Sequence, residues 1–208
     1  MTGVQPGIDD RRGIAGTPAK VAFLMHSVLN MNVRAPGIAV HRGPIEDLYH
    51  FLMDRGFEVV QIPCPETTYV GLRRWWFTRE LYDSVGYRRH CRRLAEAVCD
   101  LAEAYHRQGA RLYFVGMGLS PTCGLRMTQS DPAWGGKPFE VPLDPPAVPG
   151  KGVFVEELEQ ALAARGIPVQ MSDVAPAAIY PPYRVPAAGP YPTSLAAAIE
   201  EVKRFLDA

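Results

Sequence analysis

The chain of 208 residues and 22.9 kDa carries 22 basic and 22 acidic side chains, a formal net charge of zero and 47% apolar residues. Balanced charge argues against a nucleic-acid binder, which usually has a basic excess, and no apolar run approaches the ~18–20 residues of a membrane-spanning helix. The amino-terminal MTGVQPGIDDRRG lacks the apolar core of an export signal, so the four cysteines read as free thiols or ligands in a reducing cytoplasm.

Residues 1–18 mix Gly, Pro and charge without periodicity and are predicted to be a flexible tail before one α/β domain over 19–208. Val21-Ala22-Phe23-Leu24-Met25 is a short continuous apolar run, expected of a strand buried on both faces. After Pro44, Ile45, Leu48, Tyr49, Leu52 and Met53 recur at helical spacing until Gly56, and a strand follows at 57–62. A second helix is predicted over about 84–108, with an inward stripe of Leu94, Val98, Leu101 and Tyr105. A third strand, 112–115, runs into Gly116. Residues 126–151, rich in Pro and Gly, read as one long loop. A helix over about 153–164, a fourth strand at 167–171 and a last helix over about 194–206 complete the chain. The alternation implies right-handed βαβ units and a mostly parallel sheet of about four strands with helices on both faces. Arg55-Gly56-Phe57 and Arg165-Gly166-Ile167 share a pattern, too short to define a repeat.

Open parallel sheets bind ligands at the carboxyl ends of their strands. Here those ends carry His26-Ser27-Val28-Leu29-Asn30, then Pro63-Cys64-Pro65-Glu66, then Gly116 to Gly124 with Ser120-Pro121-Thr122-Cys123-Gly124. Cys64 and Cys123 are thus 59 positions apart in sequence but on one predicted rim.

These residues resemble the thiouracil desulfidase (TudS)-like proteins, nearest to the TudS-related desulfidase branch. The resemblance rests on Cys64-Pro65-Glu66, on Ser120 to Gly124 and on the first-strand segment ending in Leu29-Asn30. It extends to Thr68 to Trp75, Tyr82-Asp83, Arg89 to Arg92 and Trp134-Gly135-Gly136, covering roughly residues 20–175. It implies an α/β fold holding a [4Fe-4S] cluster on three cysteines, with the fourth iron open to take sulfur from a small thiolated compound such as 2-thiouracil. Cys64 and Cys123 would be metal ligands, and Glu66 and Ser120 are the candidates for proton transfer during water attack.

The family's first cysteine falls at Ser27, whose hydroxyl is a poor partner for a cluster that prefers thiolate. Three readings stand: a cluster whose third ligand is Ser27, His26 or another cysteine; a site without a cluster; or a chain in which the cysteine was replaced. Cys91, about two turns into the second long helix, is the substitute to weigh against an ordinary buried thiol; Cys99 reads as structural. The function expected is therefore iron–sulfur-dependent desulfidation, the alternative being a non-catalytic small-molecule-binding or sulfur-handling domain of the same fold. The partner expected is a small thiolated substrate, neither nucleic acid nor membrane, with a homodimer left open.

Glu66 could equally cap a helix or pair with Arg73, Arg74 or Arg79, and Ser120 could be a turn residue. Trp75, Trp76 and Phe77 could stack on a flat substrate or form a lid. Asn30 and Asn32 could shape their loop. The run Arg88-Arg89-His90 with Arg92-Arg93 reads as a solvated helix face. Gly116-Met117-Gly118 is not a dinucleotide fingerprint, because Pro121 stands where the third glycine belongs.

Overall fold

Val21 to Met25 are each at most 2% exposed, as a strand covered on both faces requires. In the computed structural model, which describes residues 19–39, 42–135, 147–174, 191–192 and 194–208, they form β1 (Lys20–Met25). The predicted tail, residues 1–18, lies outside the described residues. β1 pairs in parallel with β2 (Glu58–Ile62) on one side and β3 (Arg111–Met117) on the other. The sheet order is β2-β1-β3-β6, where β6 is Gln170–Val174. The four-stranded parallel sheet expected from the alternating pattern is thus present. Phe23 and Phe114, opposite each other on β1 and β3, stack with ring centroids 4.6 Å apart at the centre of the core.

Helices cover both faces. α2 (Glu46–Asp54) packs with α7 (Leu195–Asp207), and α5 (Val85–Arg107) packs with α6 (Val153–Ala164). The shorter elements are the single-turn α1 (His26–Leu29), a 3-10 turn at Met31–Val33, α3 (Pro65–Val70) and α4 (Arg79–Tyr82). Ser84 and Ser194 begin α5 and α7 by accepting the backbone N–H of Tyr87 and Ala197.

Three expectations need correction. In α5, Val98 is buried and Leu94 and Tyr105 pack against the core as expected, but Leu101 is half exposed, and the buried positions are Tyr87, Cys91, Ala95, Val98, Cys99 and Ala102. The last sheet strand starts at Gln170 rather than Ile167, because the Ile167 N–H is taken by the Leu162 carbonyl at the end of α6. The long loop over 126–151 contains an antiparallel ribbon of β4 (Met127–Gln129) and β5 (Ala147–Pro149); residues 136–146 lie outside the described residues.

The two Arg-Gly-apolar matches turn out to be one helix ending used twice. Gly56 and Gly166 adopt φ of 68° and 63°, and the residue after each donates to a carbonyl five positions back (Phe57 to Leu52, Ile167 to Leu162). Only glycine takes that left-handed backbone without a Cβ penalty. Replacing Gly166 with Ala is expected to destabilise the protein by about 1–2 kcal/mol, read as a lower urea midpoint with an unchanged slope.

Candidate functional site

The chain crosses from β2, on one side of β1, to β3 on the other. Loops leaving the carboxyl ends of β1 and β3 diverge there and leave a crevice, the usual place for a ligand in such sheets. The crevice is a small cleft of about 50 Å³ that opens to solvent. Its walls bring together Ser27, Cys64, Glu66, Ser120 and Cys123, five of the six residues expected from the sequence to form the site.

Cys64 sits at the start of α3, where Pro65 occupies the first helical position. Its sulfur accepts from the Thr67 N–H at 3.4 Å and from the Thr67 hydroxyl at 3.3 Å. Burial pushes its thiol pKa up, the Glu66 charge adds to this, and the Thr67 bonds and Arg74 oppose it.

Cys123 lies in the turn after β3, and the beginning of α6 holds that turn. The Val153 N–H donates to the Pro121 carbonyl, and the Phe154 and Val155 N–H groups donate to that of Thr122, at 3.1–3.3 Å. First-turn amides that a helix cannot satisfy internally are thereby satisfied by the cysteine loop. The approach is close enough that a Cβ on Gly152 would stand 2.2 Å from the Thr122 carbonyl carbon. Within the turn, the Ser120 hydroxyl accepts from the N–H groups of Thr122 and Cys123 at 3.3 and 3.1 Å. Behind it, buried Asp173 at the end of β6 accepts from the N–H groups of Leu125 and Arg126, from the Arg126 guanidinium and from the Tyr191 hydroxyl. The Cys123 thiol is driven well above the ordinary range by burial first, then by the charges of Cys64 and Glu66.

Glu66 joins the two cysteine loops. One carboxylate oxygen accepts from the Thr122 hydroxyl at 2.6 Å; the other accepts from Arg74 Nε at 2.8 Å and the Tyr82 hydroxyl at 3.0 Å. Arg74, 6% exposed, also donates to the Val33 carbonyl and so ties the turn after β1 to the same cluster. Of the two readings of Glu66 as a cap or an ion pair, the ion pair with Arg74 is the one formed. Thr122 stands 3.2 Å from the Ser120 hydroxyl and 3.3 Å from the Cys123 sulfur. A line of hydroxyls therefore connects the cleft wall to the carboxylate.

Cys91 is fully buried in α5 and is absent from the cleft wall. Burial pushes its thiol up to about 12. Cys99 lies in the same core. The buried Tyr87 hydroxyl faces the Cys91 thiol and has no partner at full hydrogen-bond geometry among the described residues. His26 is half-buried, its pKa lowered by burial. Asn30 does shape its loop, accepting from the Asn32 N–H at 3.1 Å. The basic run on α5 is only partly a solvated face: Arg88 bridges Asp83, Glu156 and buried Glu157, and Arg92 also reaches Glu157, which locks α5 to α6.

Sequence reasoning left Thr122, Tyr82 and Gln129 without a role. Gln129, on β4, lines the cleft and accepts from the Trp76 indole N–H at 2.7 Å. Trp75, Trp76 and Phe77 form the adjoining aromatic wall, Trp75 with 84% of its surface exposed. Nothing in an aperiodic Pro/Gly-rich stretch distinguishes Gln129 from its neighbours before the ribbon forms.

Among the described residues no group of three or more histidine, cysteine, aspartate or glutamate side chains is arranged to hold a metal ion, and no helix is long and apolar enough to cross a membrane. The cleft is lined by two cysteines, Cys64 and Cys123, and by the oxygen-bearing Ser27, Glu66 and Ser120, so it offers two soft ligands and otherwise hard ones. The two thiols are of the kind an iron–sulfur centre takes, and the oxygen donors are not.

Residues 40–139 match a protein-family model described as "Putative 2-thiouracil desulfurase". An uncharacterized protein of Methanocaldococcus jannaschii is 28% identical over 106 residues, which span 51% of this chain and 68% of that protein. No solved structure matches. The family resemblance drawn from the two cysteine motifs is thus borne out over the segment that contains them both.

Two outcomes follow from this geometry. In iron-free protein, Cys64 and Cys123 should alkylate slowly at neutral pH, and the rate should still be climbing above pH 9, because raised thiol pKa values keep the reactive thiolate scarce; iodoacetamide trapping with mass spectrometry checks this. Gly152→Ala should cost about 1–3 kcal/mol by overpacking against Thr122, read in a denaturant melt.

Proposed function

We propose, from the desulfurase match of residues 40–139 and the cleft those residues help to build, that this protein removes sulfur from a small planar thiocarbonyl compound. The observation that carries the reading is the convergence of Cys64, Cys123, Glu66 and Ser120 on one cleft at the point where the strand order reverses. The overall change replaces C=S with C=O: water supplies the oxygen, and sulfur leaves with both water protons as hydrogen sulfide.

Cys64, Cys123 and the Ser27 oxygen are the residues that would hold an iron–sulfur centre. Such a centre supplies an open iron with affinity for the departing sulfur. Its charge would also draw the protons from thiols that burial otherwise keeps neutral.

Glu66 is the proton acceptor in this reading. Arg74 and Tyr82 fix one of its oxygens, and its other oxygen faces the Thr122 hydroxyl. Ser120, on the cleft wall, presents its hydroxyl to incoming water, and Thr122 passes a proton from that side to Glu66. Thr122 does not line the cleft, so it acts as a relay beneath the wall. The aromatic side chains at 75–77 supply a flat apolar surface for the ring of the substrate.

Anaerobic reconstitution with iron and sulfide, followed by metal analysis and a sulfide-release assay on 2-thiouracil, tests the reading. About four irons per chain are expected, with iron lost in Cys64→Ala and in Cys123→Ala, retained in Cys91→Ala and held more tightly in Ser27→Cys. Glu66→Gln should keep its iron and lose about 10²–10⁴-fold in kcat, the usual contribution of a positioned base. A chain that stays iron-free and releases no sulfide, while Ser27→Cys gains both, would overturn the proposal and leave a binding domain in its place.

A further inference from the structure

Gln129 is 8% exposed, yet it forms part of the cleft wall. Its carboxamide has two ends of opposite character, one acceptor oxygen and one nitrogen with two protons. The oxygen is committed: it accepts from the Trp76 indole at 2.7 Å. An indole N–H can only donate, so this bond fixes which way the amide is turned. The NH₂ end must then point away from Trp76.

That nitrogen has no hydrogen-bond partner among the described residues, and it is not one of the fully enclosed unpartnered atoms, which are Thr78 Oγ1, Tyr87 Oη and Tyr113 Oη. It therefore keeps some accessible surface, on a residue that lines the cleft. Trp76, Phe77, Met117 and Leu119 give the same cleft its apolar surface. An amide donor in such a place costs free energy whenever a ligand covers it without accepting its proton. A ligand with an acceptor at that position gains a hydrogen bond, and one without it is penalised.

We infer that Gln129 is a specificity-determining residue: it donates from Nε2 to a ring carbonyl of the substrate while the aromatic wall packs the ring. The preferred substrates are then planar heterocycles that carry a carbonyl in addition to the thiocarbonyl, rather than simple aromatic thiones. This rests on the desulfidase reading for the identity of the ligand, but the amide orientation stands independently of it.

The test compares 2-thiouracil, uracil and pyrimidine-2-thione, the last lacking a ring carbonyl, by quenching of tryptophan fluorescence and, for the two thiones, by sulfide release. In Gln129→Glu the carboxylate still accepts from Trp76 but cannot donate to the ligand; Gln129→Leu removes both functions. The wild type should bind 2-thiouracil and uracil at least about tenfold more tightly than pyrimidine-2-thione, equivalent to about 1.4 kcal/mol. That preference should collapse to within about twofold in both variants, with the loss in KM rather than kcat and an unchanged urea midpoint in Gln129→Glu. An unaltered preference in Gln129→Glu, or no binding of either carbonyl compound by the wild type, overturns the inference. Should the wild type bind with the expected preference but release no sulfide, the desulfidase reading fails while the role of Gln129 survives.

Discussion

The first amides of α6 donate to the carbonyls of Pro121 and Thr122, and the cleft depends on that exchange. A helix start carries N–H groups that need partners, and a tight turn carries carbonyls that need donors. Each satisfies the other here. The result places Cys123 and Ser120 at a fixed height above the sheet without a long hydrophobic loop to support them. Gly152 permits the contact, because any side chain there would collide with Thr122. Asp173 fastens the other side of the same turn through the amides of Leu125 and Arg126. The turn is thus held by backbone on one side and a buried carboxylate on the other.

Glu66 plays the corresponding part between loops. Its three hydrogen bonds come from three separate segments: Arg74 from the aromatic-basic stretch, Tyr82 from α4 and Thr122 from the cysteine turn. Arg74 continues the connection to Val33 beyond β1. Side chains held from several directions lose little freedom when a ligand arrives, which is the condition for a positioned proton acceptor. A nearly buried ion pair of this kind contributes little net stability by itself. Its contribution is to hold the two cysteine loops in one register.

The sheet was legible in the sequence because Val21–Met25 and Leu112–Val115 are unbroken apolar runs, and such runs are what a doubly covered parallel strand requires. The rim location of Cys64 and Cys123 followed from that alone. The ribbon at 127–129 and 147–149 was not legible: three-residue strands leave no periodicity, and their pairing is specified by partners rather than by pattern. Gln129 went unseen for the same reason. The misplacement of Leu101 has a different origin, since an amphipathic period locates a stripe without saying that alanines at 95 and 102 would form its centre. Arg88 and Arg92 looked like solvent-facing charge because their partners, Glu156 and Glu157, lie 65 or more positions away on another helix.

The order β2-β1-β3-β6 also bears on what part of this chain can stand alone. Residues 40–139 contain both cysteine motifs, Glu66 and the aromatic wall, yet β1 lies outside them and is the strand between β2 and β3. Excised, that segment would hold β2 and β3 without the strand between them and without β6, leaving three rows of backbone groups that had been paired. The cysteine turn would lose α6 as well. The chemistry is contiguous in sequence while its scaffold is interleaved, so the site cannot be transplanted as a peptide cassette. Fragment complementation would have to supply β1 from one side of the segment and α6 with β6 from the other.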